Sequence, residues 1–289
     1  MRPRAGYRRS RKRDEFYFIP LSLAMLCLSI FFFAQAEAES GWKAVLNAGT
    51  VLLTTCAVSA FHYFSKIDKK KQYLVFCFYL LVICSNLPMK DLLFGLLPTL
   101  CFIGALVPLF QSFHLQRCER NLFLSGIFVG VCGLFFGMFL WYAPLFLLGM
   151  YVLWCLSPHG TLAYMFGLAM PLWGGVGVCF YLDDWTFLRE SFGSFFAIEL
   201  QSIQNLSPQE MLLASSSLLL FFFIGINLFM RFSMEAFRQR SYLLFMLIAA
   251  VYSALLAVFF APYTLQFFLV GMVPFSFLLV YFLCSLGRR

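Results

Sequence analysis

Residues 121–156 read NLFLSGIFVGVCGLFFGMFLWYAPLFLLGMYVLWCL, without one charged side chain. A helix needs about 20 apolar residues to cross roughly 30 Å of hydrocarbon. The run is too long for one crossing and barely long enough for two. It reads either as two short helices, 121–138 and 139–156, broken near Gly137 to Pro144, or as one helix followed by a re-entrant segment. The choice decides the fold, because it sets on which side every later link falls.

The flanking sequence arbitrates. Apolar segments also occur at 17–34, 42–64, 73–87, 91–112, 161–182, 211–230, 241–260 and 264–284. If 121–156 crosses twice there are about ten spans. Eighteen of the 21 Lys and Arg residues then share one side. They are Arg2, Arg4, Arg8, Arg9, Arg11, Lys12 and Arg13, then Lys66, Lys69, Lys70 and Lys71, then Arg117, Arg120, Arg231, Arg238, Arg240, Arg288 and Arg289. Only Lys43, Lys90 and Arg189 fall opposite. Cytoplasmic loops carry the excess of Lys and Arg. The expected fold class is therefore all-α: a polytopic transmembrane helical bundle of about ten spans. A basic segment, 1–16, precedes a single transmembrane domain, 17–289. Both ends are expected in the cytoplasm, and the membrane is expected to be a bacterial inner membrane.

Composition agrees with this class. The chain has 289 residues, 62% hydrophobic and 12% charged, with mean hydropathy +0.85. Soluble domains carry about 25% charged residues. The net charge of +8 does not point to nucleic acid, since no basic stripe alternates with stacking aromatics outside the apolar segments. The basic N-terminal run instead suits anionic lipid heads. Followed by an apolar run and Ala34-Gln35-Ala36, it also resembles a signal peptide. The apolar run is longer than a signal core, which favours an uncleaved first helix. Nine of the ten cysteines lie in apolar segments and no CxxC occurs, so they read as small hydrophobes at helix contacts.

One link is long, at 183–210, and it falls outside. Within it Leu188, Phe192, Phe195 and Phe196 recur at helical spacing, beside Trp185. This predicts a helix in the plane of the outer interface. Ser207-Pro208-Gln209-Glu210 is a capping box that starts the next span.

Candidate chemistry is sparse. Gly126, Gly130, Gly133 and Gly137 are spaced 4, 3 and 4, which places them on one helix face open to close packing, or to a lipid chain. No Asp, Glu, Lys or Arg lies in the middle of a span, which disfavours ion-coupled transport. Asn47, Asn227 and Gln266 are the remaining notable polar groups there. Outside, Glu37, Glu39, Asp91, Asp183 and Asp184 could supply a general base or hold a metal bound to a diphosphate. Lys90 and Arg189 could pair with a lipid phosphate. The plainer reading of all seven is solvated link residues. His62, His114 and His159 map to the inner side with no metal-ligand spacing. No metal site is expected.

The stretch from Val75 to Trp185 carries a resemblance. "YLVFCFYLLVICSNLPMKDL" ends a span on a Pro-plus-acid turn. "LLPTLCFIGALVPLFQSFHLQRCERNLFLSGIFVGVCGLFF" follows, and then "WYAPLFLLGMYVLWCLSPHGTLAYMFGLAMPLW". In order and punctuation this resembles an uncharacterised family of polytopic inner-membrane proteins from Bacteroidetes-type bacteria. That resemblance implies no activity. "GIFVGVCGLFF…APLFLLGMYVL" is similar, more distantly, to the membrane region of polyprenyl-phosphate-sugar-dependent glycosyltransferases. That likeness implies a catalytic acid in the first outer loop, at Glu37 or Glu39, and a divalent metal; apart from that alternative no cofactor is expected. The first outer loop is only Gln35 to Gly41, however. The expected role is an envelope-associated membrane protein, with membrane lipids as partners and envelope proteins or further copies of itself open. The alternatives are a glycosyltransferase acting on lipid-linked sugar at the outer face, and an uncoupled or lipid-handling transporter.

Overall fold

The 121–156 run breaks at Phe136, whose backbone (φ −131°, ψ 88°) leaves the helical region. The computed structural model describes residues 41–64, 77, 79–80, 92–115, 117–196, 225, 237–260 and 263–286. Among these residues the protein is helical. The chain divides into two compact units, Met1–Leu93 and Phe94–Arg289.

In the first unit, α1 (Gly41–Phe64) buries Val51, Val58 and Phe61. Thr54 and Thr55 return their hydroxyls to carbonyls one turn back, at Thr50 and Val51, so they sit in an apolar helix without orphan donors. The predicted segments 17–34 and 211–230, the capping box at 207–210 and most of 73–87 lie outside the described residues.

The second unit contains most of α2 (Leu92–Gln111), then α3 (Glu119–Phe135) and a 3-10 helix (Gly137–Tyr142). It continues with α4 (Ala143–Val152), α5 (Pro158–Leu182), α6 (Thr186–Phe196), α7 (Phe237–Phe259) and α8 (Thr264–Leu286). Pro144 does not break the chain. It occupies the first turn of α4, where a missing N–H costs nothing. Ser157 caps α5 by accepting from the Gly160 N–H, with Pro158 in its first turn.

Contacts fix the directions. Cys118, just before α3, places its thiol 3.6 Å from the carbonyl of Cys155, just after α4. The 121–156 run is therefore a hairpin. Its outward limb measures about 25 Å at 1.5 Å per residue. The 3-10 helix and α4 return about 27 Å, so the two limbs match. Helix α5 then runs parallel to α3, since Gly126 meets Leu168 and Gly175 meets Leu134. Helix α2 runs alongside the return limb, with Phe102 against Tyr142 and the His114 N–H donating to the Leu153 carbonyl. Helix α7 starts beside Phe113 and Trp154 and rises to Trp141 and Tyr142.

The core is centred on Tyr142, which is fully buried among Phe102, Phe139, Tyr252 and Phe267. Its hydroxyl lies 3.0 Å from Ser253 Oγ, which lies 2.8 Å from the Ala249 carbonyl. Among the described residues two helices, α5 and α7, are long and apolar enough to cross a membrane. Only 11% of the apolar window of α5 is buried, against 44% for α7.

Candidate functional site

The described charges of the second unit collect at its two ends. One end carries Arg117, Glu119, Arg120, His159, Arg238 and Arg240 around the 112–118 turn and the starts of α3, α5 and α7. The other carries Asp183, Asp184, Arg189 and Glu190 around α6. Between them α2, α3, α4, α7 and α8 hold no Asp, Glu, Lys or Arg in their middles, and neither does α5.

At the α6 end each acid has a local role. Asp183 ends α5 in the left-handed region (φ 53°, ψ 28°). Asp184 starts α6. Its Oδ1 accepts from the Thr186 N–H at 2.9 Å and from the Thr186 hydroxyl at 2.6 Å. Those two bonds hold its carboxyl below the ordinary carboxylate value. Both acids are exposed, as is Arg189, and no ion pair joins Arg189 to either among the described residues. Glu37, Glu39, Lys90 and Asp91 lie outside the described residues, so no convergence of acids at this end is described.

Helix α6 is docked by a polar contact that its apolar spacing does not announce. Leu188 and Ser191 are its buried residues. Ser191 donates its hydroxyl to the Leu134 carbonyl at 2.7 Å, with Gly133 O at 3.4 Å. These carbonyls are orphaned because α3 stops at Phe135, and a helix end buried without partners is costly. Ser194 Oγ accepts from the Met138 N–H at 3.3 Å. Trp141 stacks on Phe195 at 5.2 Å and donates its indole N–H to the Phe195 carbonyl. Phe196, on the apolar face expected from the sequence, is 77% exposed. Phe192 and Phe195 are half-buried, so the buried face is rotated towards Ser191.

The four spaced glycines meet three different neighbours. Gly126 and Gly130 face the α5 backbone at Tyr164, Gly167 and Leu168. Gly167 reciprocates against the Phe123 carbonyl. A side chain on any of these three would run into backbone, which cannot rotate away. Gly133 is covered by the Leu140 side chain, and Gly137 lies under the Ser191 carbonyl. Gly137 belongs to the 3-10 helix, so the stripe ends where α3 does.

Inside the bundle, Thr99 Oγ1 and Gln266 Oε1 are buried with no hydrogen-bond partner among the described residues. Gln266 stood out in the sequence as a polar residue in an apolar span, whereas Thr99 and Ser191 did not. Asn227 and the side chain of Asn47 lie outside the described residues. Among the described residues no three His, Cys, Asp or Glu side chains come together as metal ligands, and the described cysteines are free thiols.

Comparison with protein-family models, with curated protein sequences and with solved structures finds no match to this chain.

Proposed function

We propose that this chain is a polytopic α-helical protein of a bacterial inner membrane, with about ten spans and both ends in the cytoplasm. Its role is that of an envelope-associated integral membrane protein. The observation that carries the reading is the charge-free apolar wall between a basic end and an acidic end of the second unit. On α5 that wall exposes Phe166, Met170, Trp173, Phe180 and Tyr181. An apolar surface of this kind is unfavourable in water and suits lipid. By the preference of Lys and Arg for the inner side, the end with Arg117, Arg120, Arg238 and Arg240 is cytoplasmic and the α6 end is outside.

The hairpin at Phe136 supports two crossings for 121–156. Helix α6 finishes at one end and α7 begins at the other. By its sequence, the apolar run 211–230 is the segment proposed for the crossing between them. Together these support the count of ten.

The test is labelling of single cysteines in a Cys-free background with a membrane-impermeant maleimide. Gly193 suits the outer site, since it is exposed and a Cβ there meets nothing within 4 Å. Gly193→Cys is expected to label in intact cells. His159→Cys is expected to label only after permeabilisation. Labelling of Gly193→Cys from the cytoplasmic side alone overturns the orientation, and release of the protein by an alkaline carbonate wash overturns the membrane reading.

A further inference from the structure

Arg238 stands at the basic end in a setting that differs from a solvated surface cation. Its guanidinium lies 5.9 Å from the centre of the Phe113 ring and 5.3 Å from that of Tyr242. Its Nε donates to the Tyr242 hydroxyl at 3.0 Å. Tyr242 is itself fixed. It is buried, it stacks on Phe110 at 4.3 Å, and its hydroxyl donates to the Phe110 carbonyl at 2.9 Å. The guanidinium is thus oriented by two rings and one hydrogen bond, on a residue that stays exposed. No carboxylate pairs with it among the described residues. Around it stand Phe237, Trp154 and His114, all exposed. Phe237 lies 6.1 Å from both Phe113 and Trp154, and His114 lies 6.2 Å from Phe113. The Trp154 and His114 backbones both adopt the left-handed region, near φ 57° and 56°, which non-glycine residues rarely occupy.

We infer that Arg238, with the aromatic rim of Trp154 and Phe237, is a recognition site for the phosphate of an anionic phospholipid in the inner leaflet. This deepens the membrane reading and rests on it. Three features converge. A planar guanidinium pairs with phosphate oxygens in a two-pronged way that an ammonium cannot copy. Trp and Phe at the headgroup level hold the acyl side of the lipid while the cation holds its phosphate. Basic pockets between spans on the cytoplasmic side suit anionic heads. Sequence alone could not single out Arg238 among 21 Lys and Arg residues, because Phe113 reaches it from the turn after α2, far away in the chain.

The test uses the full chain in detergent, titrated with phosphatidylglycerol, with phosphatidylcholine and with inorganic phosphate, read by thermal unfolding and by a fluorescent-lipid competition assay. Phosphatidylglycerol is expected to stabilise the wild type in a saturable way, and phosphatidylcholine is not. Arg238→Gln is expected to weaken phosphatidylglycerol binding by roughly tenfold, as for loss of a charge-assisted bond. Arg238→Lys is expected to fall between. Arg189→Gln, at the opposite end, is expected to leave binding unchanged. Wild-type affinity in Arg238→Gln overturns the site. Equal competition by inorganic phosphate overturns the lipid as its source. A membrane-extraction control separates the two levels: chain that resists carbonate but binds without Arg238 refutes only this site.

Discussion

A single methyl group placed on Gly130 tests the α3–α5 seam quantitatively. A Cβ built there lies 2.5 Å from the Leu168 carbonyl oxygen and 3.2 Å from two further Leu168 backbone atoms. Ordinary Cβ contacts begin near 3.4 Å, so α5 must retreat by about 0.9 Å. A gap of 0.5–1 Å forfeits roughly a quarter to a half of each facing dispersion contact. Overpacking of this kind costs about 1–3 kcal/mol. Alanine also returns roughly 1 kcal/mol of helix propensity, which obscures the result for one variant. Gly174, on α5, removes that ambiguity, since a Cβ there meets nothing within 4 Å. Gly174→Ala collects the helix gain without the clash. The difference between Gly130→Ala and Gly174→Ala therefore isolates the seam, at about 1–3 kcal/mol with Gly130→Ala the less stable. Unfolding midpoints followed by tryptophan fluorescence in one detergent provide the measurement. The expected gap is roughly 2–12 °C, at about 2–4 °C per kcal/mol. Equal midpoints, or a lower midpoint for Gly174→Ala, would refute the packing argument.

Other substitutions probe the polar contacts. Ser191→Ala leaves the carbonyl ends of α3 unpaired and is expected to cost about 1–3 kcal/mol, seen as faster proteolysis within 183–196. Tyr142→Phe removes the hydroxyl next to Ser253, which keeps its bond to Ala249, so the loss should be only about 0.5–1.5 kcal/mol by midpoint shift. The carboxyl of Asp184 is depressed in the folded chain, so its support for the start of α6 is complete above the ordinary carboxylate value. That support fades as pH falls through its lowered value. A fluorescence titration of Trp185 and Trp141 from about pH 5 downwards should show this transition in wild type and lose it in Asp184→Asn. An unchanged titration in Asp184→Asn would assign the transition to another group.

The helices were legible where hydropathy alone decides them. The apolar runs 42–64, 91–112 and 161–182 differ by only a few residues from α1, α2 and α5. What the sequence hid depends on how one helix end meets another. The break expected near Gly137 to Pro144 falls at Phe136 and the 3-10 turns from Gly137 to Tyr142, while Pro144 itself sits in the first turn of α4, where a proline demands nothing. Apolar spacing gave α6 a face of Leu188 and three phenylalanines. The face turns on Ser191 instead, and that hydroxyl matters only because α3 stops short and exposes its carbonyls there. The glycine spacing located a face, but it could not show that Gly133 and Gly137 leave the α5 seam. Of the partners of Arg238, Tyr242, four residues on in the same helix, was within reach of the sequence, but Phe113, in the turn after α2 and far away in the chain, was not.

The parallel pairing of α3 with α5 bears on how the protein is made. Neighbours in the chain usually settle as antiparallel pairs, each helix docking on the one just before it. Here a close backbone approach, at Gly126, Gly130 and Gly167, joins helices separated by a whole return limb. During synthesis α3 must wait, its glycine face uncovered, until Leu168 has been translated and α5 has turned back alongside. A nascent chain truncated before residue 168 would hold an unsealed α3, a state open to chaperones and proteases that the finished chain no longer presents.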